Sequence, residues 1–133
     1  MYLELLTEAE RRVFLDIAYQ AVECDGDVAQ EEMEMLDSYR NECMLPDYVR
    51  SANTLDQNLE LLKSSERSHR KIVLLELIGI WAADNEWKDA ELQMMDKVAK
   101  ELAIPDSRVN RLRRWSREFR ETISDGFHLI MED

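Results

Sequence analysis

Apolar residues return every three or four positions along most of this chain, and the pattern predicts helices throughout. The first runs from a capping box at Thr7-Glu8-Ala9-Glu10 to about Cys24, with Val13, Phe14, Ile17, Ala18, Ala21 and Val22 on one face. Gly26 then offers a left-handed terminator. A second helix spans about residues 30–43, with Met33, Leu36 and Cys43 inward, and Pro46 breaks it. Residues 47–62 are polar and weakly amphipathic, with one short helix from Leu55; Ser64, Ser65 and Ser68 interrupt the pattern and offer N-caps. Residues 70–83 are apolar nearly all round, which predicts a central helix. A buried strand is the rival reading, but no partner strand is signalled elsewhere. A helix at about 89–102 turns Leu92, Met95, Val98, Ala99 and Leu102 inward before Pro105, and a last one at about 106–123 carries Val109, Leu112, Trp115, Phe119 and Ile123. The remainder, DGFHLIMED, reads as a frayed tail or a short docking segment through Phe127, Leu129 and Ile130. The expected core holds Phe14, Ile17, Ala21, Leu36, Leu74, Leu77, Ile78, Trp81, Leu92, Val98 and Leu102, with Met33, Met35, Met94 and Met95 as filling.

A chain of 133 residues, 45% hydrophobic with three glycines and two prolines, fits one all-α domain of six to seven helices. No apolar run reaches the roughly 18 residues of a membrane span. The start, MYLELLTEAERR, has acids before any base and no long apolar stretch, unlike a secretory signal, so a cytoplasmic location is expected. Cys24 and Cys43 then stay free thiols, and Cys24, closing the apolar face of the first helix, is expected to be buried.

Charge changes the picture more than composition does. Of the net −12, residues 1–60 carry 15 acids against 4 bases, a surface that repels nucleic acid and anionic lipid and attracts cations or a basic protein partner. The last helix is the counterweight, with Arg108, Arg111, Arg114 and Arg117 in a stripe and Arg113 and Arg120 beside it. In so acidic a molecule these arginines are expected to pair with the first half or face solvent rather than bind nucleic acid.

The chain repeats itself. Setting Asp25 on Asp84, an offset of 59, matches residues 14–36 with 73–95 at four identities: Leu15/Leu74, Asp25/Asp84, Glu32/Glu91 and Met35/Met94. Apolar pairs extend the match, among them Ala21/Ile80, Val22/Trp81, Val28/Trp87 and Leu36/Met95. Asp27 and Glu86 are both acidic, and Gly26 and Asn85 both tolerate a left-handed backbone. Each unit is an apolar helix, an acidic turn, an apolar residue and a helix with Glu near its start.

The segments Ala21-Val22-Glu23-Cys24-Asp25-Gly26-Asp27-Val28 and Ala83-Asp84-Asn85-Glu86-Trp87, each with Glu seven positions after its Asp, and Ala99-Lys100-Glu101-Leu102-Ala103-Ile104 resemble the TerB-like family. That family takes in tellurite-resistance TerB and the N-terminal domain of the membrane-anchored co-chaperone DjlA. The resemblance is strongest over residues 8–115. It implies a helical bundle with pseudo-twofold halves, an association with stress from toxic oxyanions, acidic residues proposed to bind divalent metal, and no enzymatic activity. Cys24, Asn85 and Ala103 depart from the usual residues, and Ala29 and Lys88 stand where a capping Ser or Thr is expected.

Two readings of the acidic turns stay open. Asp25, Asp27, Glu32, Asp84, Glu86 and Glu91 offer oxygen-only ligands suited to Ca²⁺ or Mg²⁺ if the two turns face each other. The spacing is not that of an EF-hand, because the twelfth position is Leu36. Alternatively the aspartates make Asx turns and the glutamates cap their helices. The histidines, His69 and His128, are expected at the surface or at caps. No nucleophile motif, phosphate loop or zinc spacing accompanies the acids, so catalysis is not expected; a metal-free scaffold using the acidic face or the arginine helix is the other candidate function.

Overall fold

A computed structural model describes residues 1–132, and among them there is no strand. After a 3-10 turn at Leu3–Leu5 come six helices: α1 Glu8–Glu23, α2 Gln30–Glu42, α3 Leu55–Leu62, α4 Arg67–Trp81, α5 Asp89–Glu101 and α6 Asp106–Met131. The all-α bundle is the one the periodicity predicts. α4 is central, packed against α1, α2, α5, α6 and the 3-10 turn, as its all-round apolar surface requires.

α1 and α4 run side by side in the same direction. Near their starts His69 Nδ1 meets Glu10 Oε1 at 2.8 Å, and near their ends Trp81 Nε1 donates to the Ala21 carbonyl at 3.3 Å. Glu10 and His69 are equivalent positions in the repeat, so the halves meet about a pseudo-twofold axis. This places His69 between helices, not at a surface or cap. Phe14, Leu15, Ile17, Leu74, Leu77, Ile80 and Trp81 are fully enclosed along this seam.

The repeat reaches further than the turns. α2 and α5 are both 13 residues long and begin 59 positions apart. Both end on a left-handed residue that is not glycine, Met44 at φ 58° and Ala103 at φ 57°. Beyond each, Leu45 N–H donates to the Arg40 carbonyl at 2.9 Å and Ile104 N–H to the Ala99 carbonyl at 2.8 Å. These are matched Schellman closures, and Pro46 and Pro105 follow at the same offset. Between the halves, Asp16 is buried and accepts from Tyr48 Oη at 2.7 Å, from Ser51 N–H at 2.9 Å and from the Ser51 hydroxyl, pinning the 43–54 connection to α1.

Five expectations need correction. Leu92 is only partly buried and Met33 is exposed. Each follows a capping glutamate, Glu32 or Glu91, that is itself buried. The serines do not cap α4; Glu66 stands at its N-cap without a side-chain bond. Cys24 is half-buried, whereas Cys43 is fully enclosed. Residues 125–131 are neither frayed nor separate, because α6 continues unbroken to Met131; Asp133 lies outside the described residues.

One glycine has a steric duty. A Cβ on Gly79 would lie 2.9 Å from Tyr39 Oη, and that buried hydroxyl donates to the Glu76 carbonyl at 2.8 Å while its ring meets Phe14 edge-on. Gly79→Ala is therefore expected to destabilise by about 1–2 kcal/mol, despite alanine's better helix propensity. Tyr39→Phe should cost about 1 kcal/mol for the lost hydrogen bond. In the Tyr39→Phe background Gly79→Ala should become neutral or favourable, which urea melts of the four proteins will check.

Candidate functional site: two acidic turns across a pseudo-twofold axis

Each acidic turn is built the same way. α1 gives out at Glu23, and Gly26, at φ 81°, sends its N–H back to the Glu23 carbonyl at 3.1 Å. Asp25 Oδ1 accepts the Asp27 N–H at 3.0 Å, an Asx turn, and Glu32 Oε1 accepts the Ala29 N–H at 3.2 Å. In the second copy Asn85, at φ 62°, bonds back to the Ala82 carbonyl at 3.1 Å. Asp84 Oδ1 accepts the Glu86 N–H at 3.0 Å, and Glu91 Oε1 accepts the Lys88 N–H at 2.8 Å. Ala29 and Lys88 supply no side-chain acceptor, so each is half of a capping box. The glutamates thus supply the one capping bond each box retains, and the aspartates close the turns before it.

Capping does not account for the burial. Glu32 and Glu91 are each only 2% exposed. Burial first, then the charges of Glu91, Asp25 and Asp84, push the Glu32 carboxyl up to about 7. Burial and the charges of Asp84 and Asp25 likewise raise Glu91. Glu32 Oε2 is enclosed with no hydrogen-bond partner. Asp25 Oδ2 is also enclosed, lying 3.0 Å from Lys88 Nζ as an ion pair outside hydrogen-bond alignment. Burial alone would raise Asp25; the Lys88 ammonium and the Asp27 N–H outweigh it and hold Asp25 below the usual range. Lys88 is raised in turn, chiefly by Asp25.

The six acids therefore divide. Asp25, Glu32, Asp84 and Glu91 share one electrostatic environment, whereas Asp27 and Glu86 point to solvent, Asp27 keeping Lys88 Nζ at 3.8 Å. In this arrangement, among the described residues, no three His, Cys, Asp or Glu side chains converge closely enough to hold a metal ion. The cation at the junction is the ammonium of Lys88, which crosses from the second unit to the first. Sequence spacing misses Lys88, because it contributes a charge and not a match in the repeat. Cys24 stands beside the same cluster; burial and then Glu91, Asp25 and Glu32 push its thiol up to about 11.

The arginines of α6 do not pair with the acidic first half, as one reading expected. Arg120 reaches the Ala82 carbonyl at the end of α4 and Asn85 Oδ1 at 2.8 Å, so it closes the second turn from outside. Arg113 lies over the Trp87 ring at 4.6 Å. The one acid within ion-pair reach of an α6 arginine, among the described residues, is Glu118, 4.0 Å from Arg114.

Paired helix–acidic turn–helix units on a pseudo-twofold axis make this a two-unit helical module. The family model described as tellurite resistance protein TerB matches residues 4–114, and the chain belongs to that family. No curated protein and no solved structure matches it. No helix among the described residues is long and apolar enough to cross a membrane.

Glu32 makes the junction sensitive to pH. Its folded value of about 7 lies above the ~4.3 of an unfolded glutamate. Its stabilising contribution is therefore complete below about pH 4.3 and is lost as the pH rises through about 7. Glu32→Gln keeps an oxygen for the Ala29 N–H and removes the buried charge. It should leave stability at pH 5 nearly unchanged and raise it at pH 8 by about 1 kcal/mol, after discounting for solvent screening. Thermal melts across that range will show it; an equal effect at both pH values would mean that Glu32 is not the titrating group.

Proposed function

We propose that this chain is a non-enzymatic TerB module, cytoplasmic and associated with stress of the tellurite-resistance type, whose paired acidic turns bind a divalent cation, Ca²⁺ or Mg²⁺. The observation that carries the reading is the unpartnered Oε2 of Glu32, an enclosed oxygen facing other carboxylates. A buried acceptor without a donor calls for an explanation, and an unseen ion is one. Asp25, Glu32, Asp84 and Glu91, which do not converge on one point in this arrangement, would close on the ion to hold it, with Asp27 and Glu86 at the rim. An all-oxygen set suits a hard cation. Binding requires Lys88 to leave Asp25, and its side chain, 38% exposed, is free to swing into water. The ion would replace the proton that Glu32 retains near neutrality. The non-enzymatic reading is supported by Cys24 beside the cluster, because a thiol pushed up to about 11 is scarcely ionised at neutral pH.

A second reading is a metal-free scaffold that holds a protein partner through its acidic face. It is favoured by Lys88, which already neutralises part of the cluster.

Under the cation reading, millimolar Ca²⁺ or Mg²⁺ should raise the melting temperature beyond the effect of monovalent salt at matched ionic strength. The stabilisation should approach ~2.7 kcal/mol at a hundredfold excess over Kd. Asp25→Asn or Asp84→Asn should abolish it, although Asn still makes the turns. Lys88→Met should tighten binding by removing the competing ammonium, and binding near pH 7 should release protons. If both ions leave the melting curve where matched salt leaves it, the turns are caps and the scaffold reading stands.

A further inference from the structure

A cleft of about 940 Å³ lies between the end of α4, the second acidic turn and α6. That size falls within the roughly 300–1,000 Å³ of small-molecule sites. Its lining carries five arginines, Arg111, Arg113, Arg114, Arg117 and Arg120, against one acid, Glu121. In a chain of net charge −12 this is a local reversal of sign. Arg113, Arg117 and Arg120 form one row along α6, because steps of four and three residues stay on the same helical face.

The partners that hold these guanidiniums are neutral. Arg120 donates through Nη1 to the Ala82 carbonyl and to Asn85 Oδ1 at 2.8 Å. Arg113 lies over the Trp87 ring at 4.6 Å. Both are thereby positioned at the cleft without being neutralised. Arg117 stands between them and is exposed. Among the described residues none of the three has an acid in ion-pair reach; the α6 arginine that does is Arg114, 4.0 Å from Glu118. Like charges three and four residues apart destabilise a helix. The row therefore works against the helix that carries it, and a bound anion would relieve the repulsion.

We propose that this cleft binds a linear chain of two or three phosphates, free or carried by a small molecule. A guanidinium is planar, stays charged at every working pH and meets two phosphate oxygens at once. From Arg113 to Arg120 is seven residues, a rise of about 10 Å. Three charges in a row of that length match charges strung along a chain, whereas a single oxyanion would reach only part of the row. Asn110 and Ser116 add neutral donors to the lining. At physiological salt a charge is felt over about 8 Å, so a ligand confined to the cleft answers chiefly to its lining. A nucleic-acid strand would run beyond the row onto an acidic molecule that repels it. Arg117 and Arg120 lie past residue 114, where the family match ends, so the row extends outside the matched region.

Calorimetric titration of the full chain with sodium tripolyphosphate tests this, in divalent-free buffer so that cation binding at the acidic turns plays no part. The expected result is saturable binding at one site, with a melting temperature that rises with ligand. Arg117→Gln should weaken binding about tenfold. It should leave the melting of the unliganded chain unchanged, since Arg117 is exposed. Glu121→Gln should tighten binding about twofold to fivefold, a gain that no folding defect can mimic. Arg108→Gln, on the same helix but outside the cleft, should bind as wild type does. A nucleoside triphosphate separates the two sources of the chain: affinity equal to or above that of tripolyphosphate assigns the nucleotide, and lower affinity assigns the inorganic chain. The proposal is overturned if millimolar tripolyphosphate shows no saturable binding in about 0.15 M salt, if Arg117→Gln changes nothing, or if Arg108→Gln weakens binding as much as Arg117→Gln. It is equally overturned if orthophosphate or an oligoglutamate peptide binds as tightly as tripolyphosphate, which would make the cleft a single-oxyanion site or a dock for an acidic segment.

Discussion

Two glutamates meet where the halves of this molecule meet, and they cannot both be ionised there without cost. Glu32 and Glu91 are needed to cap α2 and α5, because Ala29 and Lys88 lack the oxygen that would otherwise do so. Capping draws them inward, and the pseudo-twofold axis then brings each under the influence of the other. The rest of the junction answers that constraint. Asp25 and Asp84 are tied down by their own turns, Lys88 is recruited across the axis, and Glu32 keeps a proton near neutral pH. A helix-capping requirement has become an electrostatic one.

Much of the fold was legible because helical periodicity is a direct record of burial. The central place of α4 follows from its apolar circumference, and the inward faces of α1 and α5 follow from spacing. What spacing could not show is which side chain takes an inward place when a charged and an apolar residue adjoin, as at Glu32 and Met33 or Glu91 and Leu92. The hydrogen bond to the cap decides that, and a hydrophobic pattern carries no trace of it.

The repeat was visible through Asp25 and Asp84 but is longer than its identities suggest. Met44 and Ala103 share a left-handed backbone with no residue type in common, so the match lies in conformation and not in letters. Pro46 and Pro105 at the same offset were the available signal. The end of α6 misled for the opposite reason. Ser124, Asp125 and Gly126 look like a helix stop, yet Gly126 keeps a helical backbone, and nothing local forces a break. Spacing picks out the six acids together, whereas their division into four inner and two outer side chains depends on the axis and leaves no trace in spacing.

Fusing two related units into one chain has a consequence that symmetry would forbid. In a true homodimer every substitution appears twice, so a lysine at the junction would face its own image across the axis. Here the position of Lys88 corresponds to Ala29 in the other half. A single ammonium can therefore sit among the inner carboxylates without a second one repelling it. The two halves share a scaffold, and because they are one chain they can differ in charge. The junction can be tuned by one elementary charge at a time, a finer adjustment than any symmetric pair permits.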